Sequence, residues 1–154
     1  MWEIIQEHNP IWFIDATGSL LKDKPTNKDI LLYTILCHDR RNHNLIPIAE
    51  FFLDDQSSVS ISSTLLPIKK SLENNISKKK MPFAKVFITD QSWAIINSIL
   101  EIFNNCTINQ YLSWCFDIVF KIERRKFLNS EMPMMAYVCA SHFIKNMVYH
   151  TKKI

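Results

Sequence analysis

The sequence of residues 1–154 predicts a single α/β domain, in which a mixed five-stranded sheet is flanked by helices. Two observations predict this class. Three apolar runs joined by polar turns occupy residues 11–53, which is typical of an antiparallel meander. After them, apolar residues at helical spacing alternate with two short strand-like runs. The predicted order is β-β-β-α-β-α-β-α, with one additional apolar helix before the last strand.

The first three predicted strands are short and rich in aromatic and β-branched residues. Residues 11–16 form the first strand, which contains one carboxylate, Asp15, and is closed by a turn signal at residues 17–19. Residues 30–37 and 45–53 form the second and third strands, with a polar stretch between them.

The remaining elements alternate between helix and strand. Residues 54–57 can cap a helix whose apolar side chains continue at helical spacing to residue 72, and Pro67 predicts a break or kink within it. The later elements follow in order: a strand at residues 86–89, an amphipathic helix at 91–103 with Trp93 on its apolar side, a helix at 111–122, a strand at 134–138 and a helix from about residue 142.

Glycine is almost absent, since Gly18 is the one glycine in the chain. Dinucleotide-binding and phosphate-binding loops need several glycines so that backbone amides can approach phosphate, and both are therefore excluded. The glycine-flanked serine of the serine hydrolases is excluded for the same reason. We expect Gly18 to form the turn directly after Asp15.

Charge and cysteine usage indicate the compartment. The chain has 18 basic and 15 acidic residues and a formal charge of +3, which permits a nucleic-acid partner. The four cysteines form no paired C-x-x-C motifs, the first residues do not resemble a signal peptide, and no apolar run approaches the roughly 20 residues of a membrane helix. We therefore expect reduced thiols, an intracellular protein and no membrane partner.

Two carboxylates occupy strand positions. Asp15 lies inside an apolar strand, and Asp90 follows the strand at residues 86–89. A charged carboxylate in a buried strand is costly unless it is paired or binds a cation. Adjacent strands lie about 4.8 Å apart, so two such residues would converge and repel one another unless a divalent ion neutralised them. Mg²⁺ prefers carboxylate oxygens, and the pattern predicts a metal site suited to phosphodiester chemistry.

Both carboxylates also have a purely structural interpretation. An aspartate between a strand and a helix is often the N-cap of that helix, which would account for Asp90. Asp15 would then be an Asx-turn residue.

Four segments of the chain resemble, in the same order, segments of the Mutator-like (MULE) transposases. Residues 12–20 (WFIDATGSL) are similar to the first catalytic-aspartate strand of that family, and residues 45–50 (LIPIAE) to its third strand. Residues 88–92 (ITDQS) are similar to the second catalytic-aspartate segment, and residues 139–143 (CASHF) to the C/D-x-x-H motif. The likeness covers about residues 10–147.

The resemblance implies an RNase H-like fold with a D-D-E metal site that cuts and joins DNA at transposon ends. Asp15 and Asp90 would be two of the three acids that hold Mg²⁺ or Mn²⁺, and Cys139 and His142 would match the C/D-x-x-H pair, whose role is structural or related to DNA. A nuclear location follows from such a substrate. The third acid of the family lies beyond the C/D-x-x-H motif, and no Asp or Glu follows His142. We therefore expect a C-terminally incomplete domain that is inactive alone.

Two other functions fit the same pattern. One is a non-catalytic, transposase-derived module that binds DNA or protein. The other is an RNase H-like nuclease of a different family, with Glu50 as its third acid. The sequence indicates no oligomeric state.

Three further functional hypotheses have simpler alternatives. Cys139 and His142 could complete a zinc site with Cys37 and His38, although a buried thiol beside a helix start is the simpler interpretation. Cys139 and His142 could also form a nucleophilic pair, but no third orienting group is evident. Basic runs at residues 78–80, 124–126 and 152–153 could contact phosphates or could be solvated loops.

Overall fold

The structure is a computed structural model that describes residues 11–22, 28–39, 42–75, 84–90, 92–120, 134–141 and 144. Its strands are β1 (Ile11–Lys22), β2 (Asp29–Asp39), β3 (Asn44–Leu53), β4 (Val86–Thr89) and β5 (Met135–Val138). Its helices are α1 (Ser58–Asn75), α2 (Trp93–Ile99), which continues into a π-helical turn (Leu100–Asn104), and α3 (Ile108–Phe120).

The five strands form one mixed sheet in the order β3-β2-β1-β4-β5. β1 pairs antiparallel with β2, and β2 pairs antiparallel with β3, so the predicted meander is confirmed. β1 and β4 are parallel, as are β4 and β5. The predicted α/β class and five-stranded mixed sheet are therefore confirmed.

The turn predicted at residues 17–19 is wrong, because β1 continues through it to Lys22. The register with β2 shifts between Thr17 and Leu21, and pairing then resumes to the end of the strand. Such an irregularity bends a strand without ending it. Gly18 has no positive φ, so its backbone does not require glycine.

Helix α1 is continuous through Pro67, so of the predicted break or kink the break does not occur. Proline removes the N–H that would bond the carbonyl four residues earlier, that of Ser63. Both residues are exposed, and solvent can therefore hydrogen-bond the freed carbonyl.

The start of α1 is capped as the sequence predicts. The Asp55 carboxylate accepts hydrogen bonds from the Ser57 N–H at 2.9 Å and from the Ser57 and Ser60 hydroxyls at 2.7 Å each. The Ser60 N–H in turn donates to the Ser57 hydroxyl at 3.2 Å. These bonds satisfy N–H groups that have no partner within the helix.

Helix α2, together with the π-helical turn after it, covers residues 93–104, close to the predicted helix at 91–103. Ser92 is its N-cap, and the π-helical turn that follows ends where Asn105 adopts a left-handed conformation with φ of 51°. Trp93 was predicted on the apolar side but is 62% exposed. It is the first residue of the helix, and the buried face is formed by the residues that follow it.

The main hydrophobic core lies between one face of the sheet and helices α1 and α2. Trp12 packs edge-on against Phe87, with ring centroids 5.4 Å apart. A smaller cluster joins Ile96, Leu100 and Tyr111 beneath α3. The main core includes Trp12, Ile14, Tyr33, Ile35, Ile61, Leu65, Phe87, Ile95 and Ile99. Within the described residues, no helix combines the length and the apolar character needed to cross a membrane.

Candidate functional site

Asp15 and Asp90 are neighbours in the register of the sheet. The parallel pairing of β1 with β4 ends with Ile14 opposite Thr89, and each aspartate is the next residue of its chain segment. Adjacent strands lie about 4.8 Å apart, so the two backbones run side by side where β4 ends. The structure therefore places the backbones of the two predicted acids next to each other at the carboxyl end of β4.

The two aspartates have different surroundings. Ile14 is buried against the helices, and because side chains alternate along a strand, Asp15 lies on the opposite face, where it is exposed. Its Oδ1 accepts a hydrogen bond from the Ala16 N–H at 2.9 Å. Asp15 is thus open to a ligand that approaches the face of the sheet away from α1 and α2.

Asp90 is half-buried in the loop between β4 and α2. Its Oδ1 accepts hydrogen bonds from the Ser92 N–H at 3.2 Å and from the Thr89 hydroxyl at 3.3 Å. The N-cap of α2 is Ser92, whose hydroxyl accepts from the Ile95 N–H at 3.4 Å. The structural interpretation of Asp90 as the N-cap is therefore wrong, although Asp90 does orient the residue that caps the helix.

Tyr33 lies on the strand next to Asp15, and the sequence did not single it out. It lies on β2 opposite Ala16, is 2% exposed and stacks on Phe51 with ring centroids 5.1 Å apart. Burial raises the pKa of the Tyr33 hydroxyl, and the negative charges of Asp90 and Asp55 raise it further. Alternation along β2 could have placed Tyr33 in the core, but it could not have shown that Asp90 and Asp55 influence its pKa.

Cys139 extends the same row of positions to β5. The pairing of β4 with β5 ends with Thr89 opposite Val138, and the Cys139 N–H donates to the Thr89 carbonyl at 2.6 Å. Cys139 therefore lies next to Asp90, directly after the last paired residue of β5. His142, the other member of the motif, lies outside the described residues.

Glu50 lies in the same row of paired positions, on the side of Asp15 opposite to Asp90. It pairs with Thr34 of β2, and Thr34 pairs with Asp15, so Glu50 is two strands from Asp15, at about 10 Å between backbones. It is exposed. In the part of the chain that the structure describes, no three His, Cys, Asp or Glu side chains are grouped so that they could hold a metal ion. Glu50 accordingly does not form such a group with the two aspartates.

Cys37 lies away from the carboxyl end of β4 and from Cys139. It is buried and pairs with Trp12, three positions before Asp15 on β1, and two further strands separate β2 from β5. The structure therefore does not bring Cys37 to Cys139, as a shared zinc site would require. All four cysteines are free. The three basic runs lie outside the described residues.

No protein-family model matches the chain, and neither does any curated protein. The resemblance to the MULE transposases therefore rests on the four sequence segments.

Proposed function

We propose that this chain is a transposase-like domain with an RNase H-like fold, related to enzymes that use Mg²⁺ or Mn²⁺ to cut and join DNA. The observation that carries the proposal is the register that makes Asp15 and Asp90 neighbours on parallel strands β1 and β4. The antiparallel meander extended by two parallel strands supports the RNase H-like assignment. A DNA substrate would place the protein in the nucleus.

The two aspartates would hold the metal from different positions. Asp15 is exposed and would meet the ion from the open face of the sheet. Both hydrogen bonds that the described residues give to the Asp90 carboxylate go to Oδ1, so Oδ2 is available to a cation. When bound, the ion would polarise the scissile phosphate and activate water or a 3′-hydroxyl. Thr89 and Ser92 would act as positioning residues, because they fix the orientation of Asp90.

Metal affinity is expected to be weak in this chain. Two carboxylates leave most of the octahedral shell of Mg²⁺ to water, and the described residues supply no group of three ligands. We therefore expect no robust DNA cleavage by residues 1–154 alone.

Thermal unfolding with Mn²⁺ tests the proposed site. A ligand at ten times its Kd stabilises the folded state by about 1.4 kcal/mol, or roughly 3–5 °C for a chain of this size. We expect such a shift in the wild type, and no shift in Asp15→Asn or Asp90→Asn. Glu50→Gln is the matched control, because it removes an exposed carboxylate two strands away and should retain the shift. An equal shift in the wild type and in Asp15→Asn would contradict the proposal.

A non-catalytic DNA- or protein-binding module is the second candidate. Two observations favour it: Asp90 is already occupied in orienting Ser92, and Asp15 faces away from the helices that Asp90 adjoins. Such a module would bind a DNA duplex in EDTA as tightly as in Mn²⁺, and its affinity would fall steeply with salt. A metal-dependent nuclease domain would instead bind more tightly when Mn²⁺ is added. Fluorescence anisotropy with a labelled duplex distinguishes the two outcomes.

A nuclease that uses Glu50 as its third acid makes a different prediction. In that case Glu50→Gln would abolish the Mn²⁺-induced shift together with the two aspartate variants. The separation of Glu50 from Asp15 by a full strand favours the first proposal.

A further inference from the structure

Helix α3 is apolar around most of its circumference. Its sequence, INQYLSWCFDIVF, contains a single charged side chain, Asp117. One side of the helix is buried through Tyr111, which packs on Ile96 and Leu100. The polar residues Asn109, Gln110, Ser113 and Asp117 lie on one side of the helix, and the remaining, apolar side of such a helix is normally covered. The side away from Tyr111 is nevertheless open.

The open side carries a continuous stripe of large apolar residues. Members three, four and seven positions apart lie on one face of a helix. Two of them, Phe116 and Phe120, have ring centroids 4.5 Å apart. The stripe consists of Leu112 (54% exposed), Phe116 (56%), Val119 (68%) and Phe120 (66%).

The stripe is large enough to form the centre of a protein interface. Each of its four side chains exposes about 100 Å², which gives an apolar patch of about 400–500 Å². Patches of this size on a folded domain often mark a contact with another protein.

We propose that α3 is the contact of a homodimer, in which this stripe packs against the same stripe of a second copy across a two-fold axis. Two such patches bury about 800–1,000 Å², which is the size of a weak, reversible protein interface. The stripe carries no charge that would repel an identical copy or select a partner of opposite charge.

An antiparallel arrangement makes the stripe self-complementary. Phe116 is the middle member, so it meets its own copy near the axis, whereas Leu112 meets Phe120 of the second copy. Helices packed in this way lie about 8–10 Å apart, a distance that large apolar side chains fill. The dimer contact includes neither aspartate of the proposed metal site, so the outcome of its test does not depend on that proposal.

Sedimentation equilibrium of the whole chain from about 1 to 100 μM tests the dimer. We expect the wild type to dimerise with a micromolar Kd. Phe116→Glu places two like charges at the axis and should raise the Kd at least tenfold. Phe116→Lys should do the same, and an equimolar mixture of the two variants should restore dimers. Val59→Glu is the matched control, because Val59 is a 72% exposed apolar residue on α1 and should not alter the Kd.

Two results would overturn the proposal. One is a wild-type chain that stays monomeric at 100 μM, which would mean that the stripe has another occupant. The other is a dimer whose Kd changes by less than threefold in Phe116→Glu. Far-UV circular dichroism checks that each variant folds, and Val119→Lys replaces Phe116→Glu if the latter loses helix.

Discussion

The hydroxyl of Tyr111 holds the outer edge of β5, and its removal should destabilise the protein measurably. Among the described strands, β5 has one neighbour, β4. The carbonyls of Lys85, directly before β4, and of Thr89 accept hydrogen bonds from the N–H groups of Met135 and Cys139. Ala136 lies between them and directs its N–H and C=O away from β4. Tyr111 accepts from that N–H at 2.9 Å and donates to that C=O at 3.2 Å.

Tyr111→Phe removes both bonds and little volume. A buried polar group left without a partner costs about 1–3 kcal/mol, and since Ala136 is half-buried, water can replace part of the loss. We expect the free energy of unfolding to fall by about 2 kcal/mol and the melting temperature by roughly 4–8 °C. The amide of Ala136 should lose most of its protection against hydrogen exchange.

Urea unfolding followed by tryptophan fluorescence measures the free energy, and exchange of the Ala136 amide locates the effect. Tyr137→Phe is the matched control, because Tyr137 is the next residue on β5 and is 51% exposed, and it should change stability by less than about 0.5 kcal/mol. A loss below 0.5 kcal/mol in Tyr111→Phe, with unchanged protection of Ala136, would refute the reasoning.

The same pair of proteins makes a prediction about pH. Burial raises the pKa of Tyr111 above its ordinary value of 10.0. A raised pKa in the folded state means that the neutral hydroxyl stabilises the fold below pH 10 and that this contribution declines as the pH rises further. The stability difference between the wild type and Tyr111→Phe should therefore narrow above pH 10.

Three further substitutions have defined outcomes. The Ser98 hydroxyl is fully buried and lies 2.8 Å from the Ser58 carbonyl of α1, so Ser98→Ala should cost about 1 kcal/mol in urea unfolding; an unchanged midpoint would contradict this. A Cβ on Gly18 would meet no atom within 4 Å, and Gly18→Ala should raise the unfolding free energy by about 0.5 kcal/mol, whereas a loss would indicate a conformation that requires glycine. Hydrogen bonds, first from Ser60, lower the pKa of Asp55. Asp55→Asn should therefore lower the melting temperature near pH 7 and match the wild type once the pH falls below the pKa of Asp55, and a pH-independent difference would contradict this.

Local pattern was sufficient for most of the elements. The strand at residues 86–89 coincides with β4, because a short β-branched run between turn signals has few alternatives. The meander was predictable because its three strands are adjacent in sequence. The errors fell where tertiary pairing overrides local signals. β1 continues past Gly18 because β2 is long enough to pair with it, and α1 passes Pro67 because Ser63 and Pro67 are exposed, so that solvent can reach the freed carbonyl.

The candidate site divides in the same way. The sequence singled out Asp15 and Asp90 as carboxylates inside and directly after predicted strands, and it singled out Cys139 through the resemblance to the C/D-x-x-H motif. Only the register of β1, β4 and β5 decided that these three residues are neighbours on adjacent strands. The placement of Tyr33 next to these residues and the exposure of the stripe on α3 also depended on the tertiary structure.

The sequence by itself determined most of the strands and helices and which of them carry carboxylates, because hydrophobic period and turn chemistry act over a few residues. The tertiary structure decided the strand order, the register and the faces on which Asp15 and Asp90 lie. These depend on pairing between segments about 75 residues apart, and no local pattern encodes the burial and backbone hydrogen bonds that select one pairing over another.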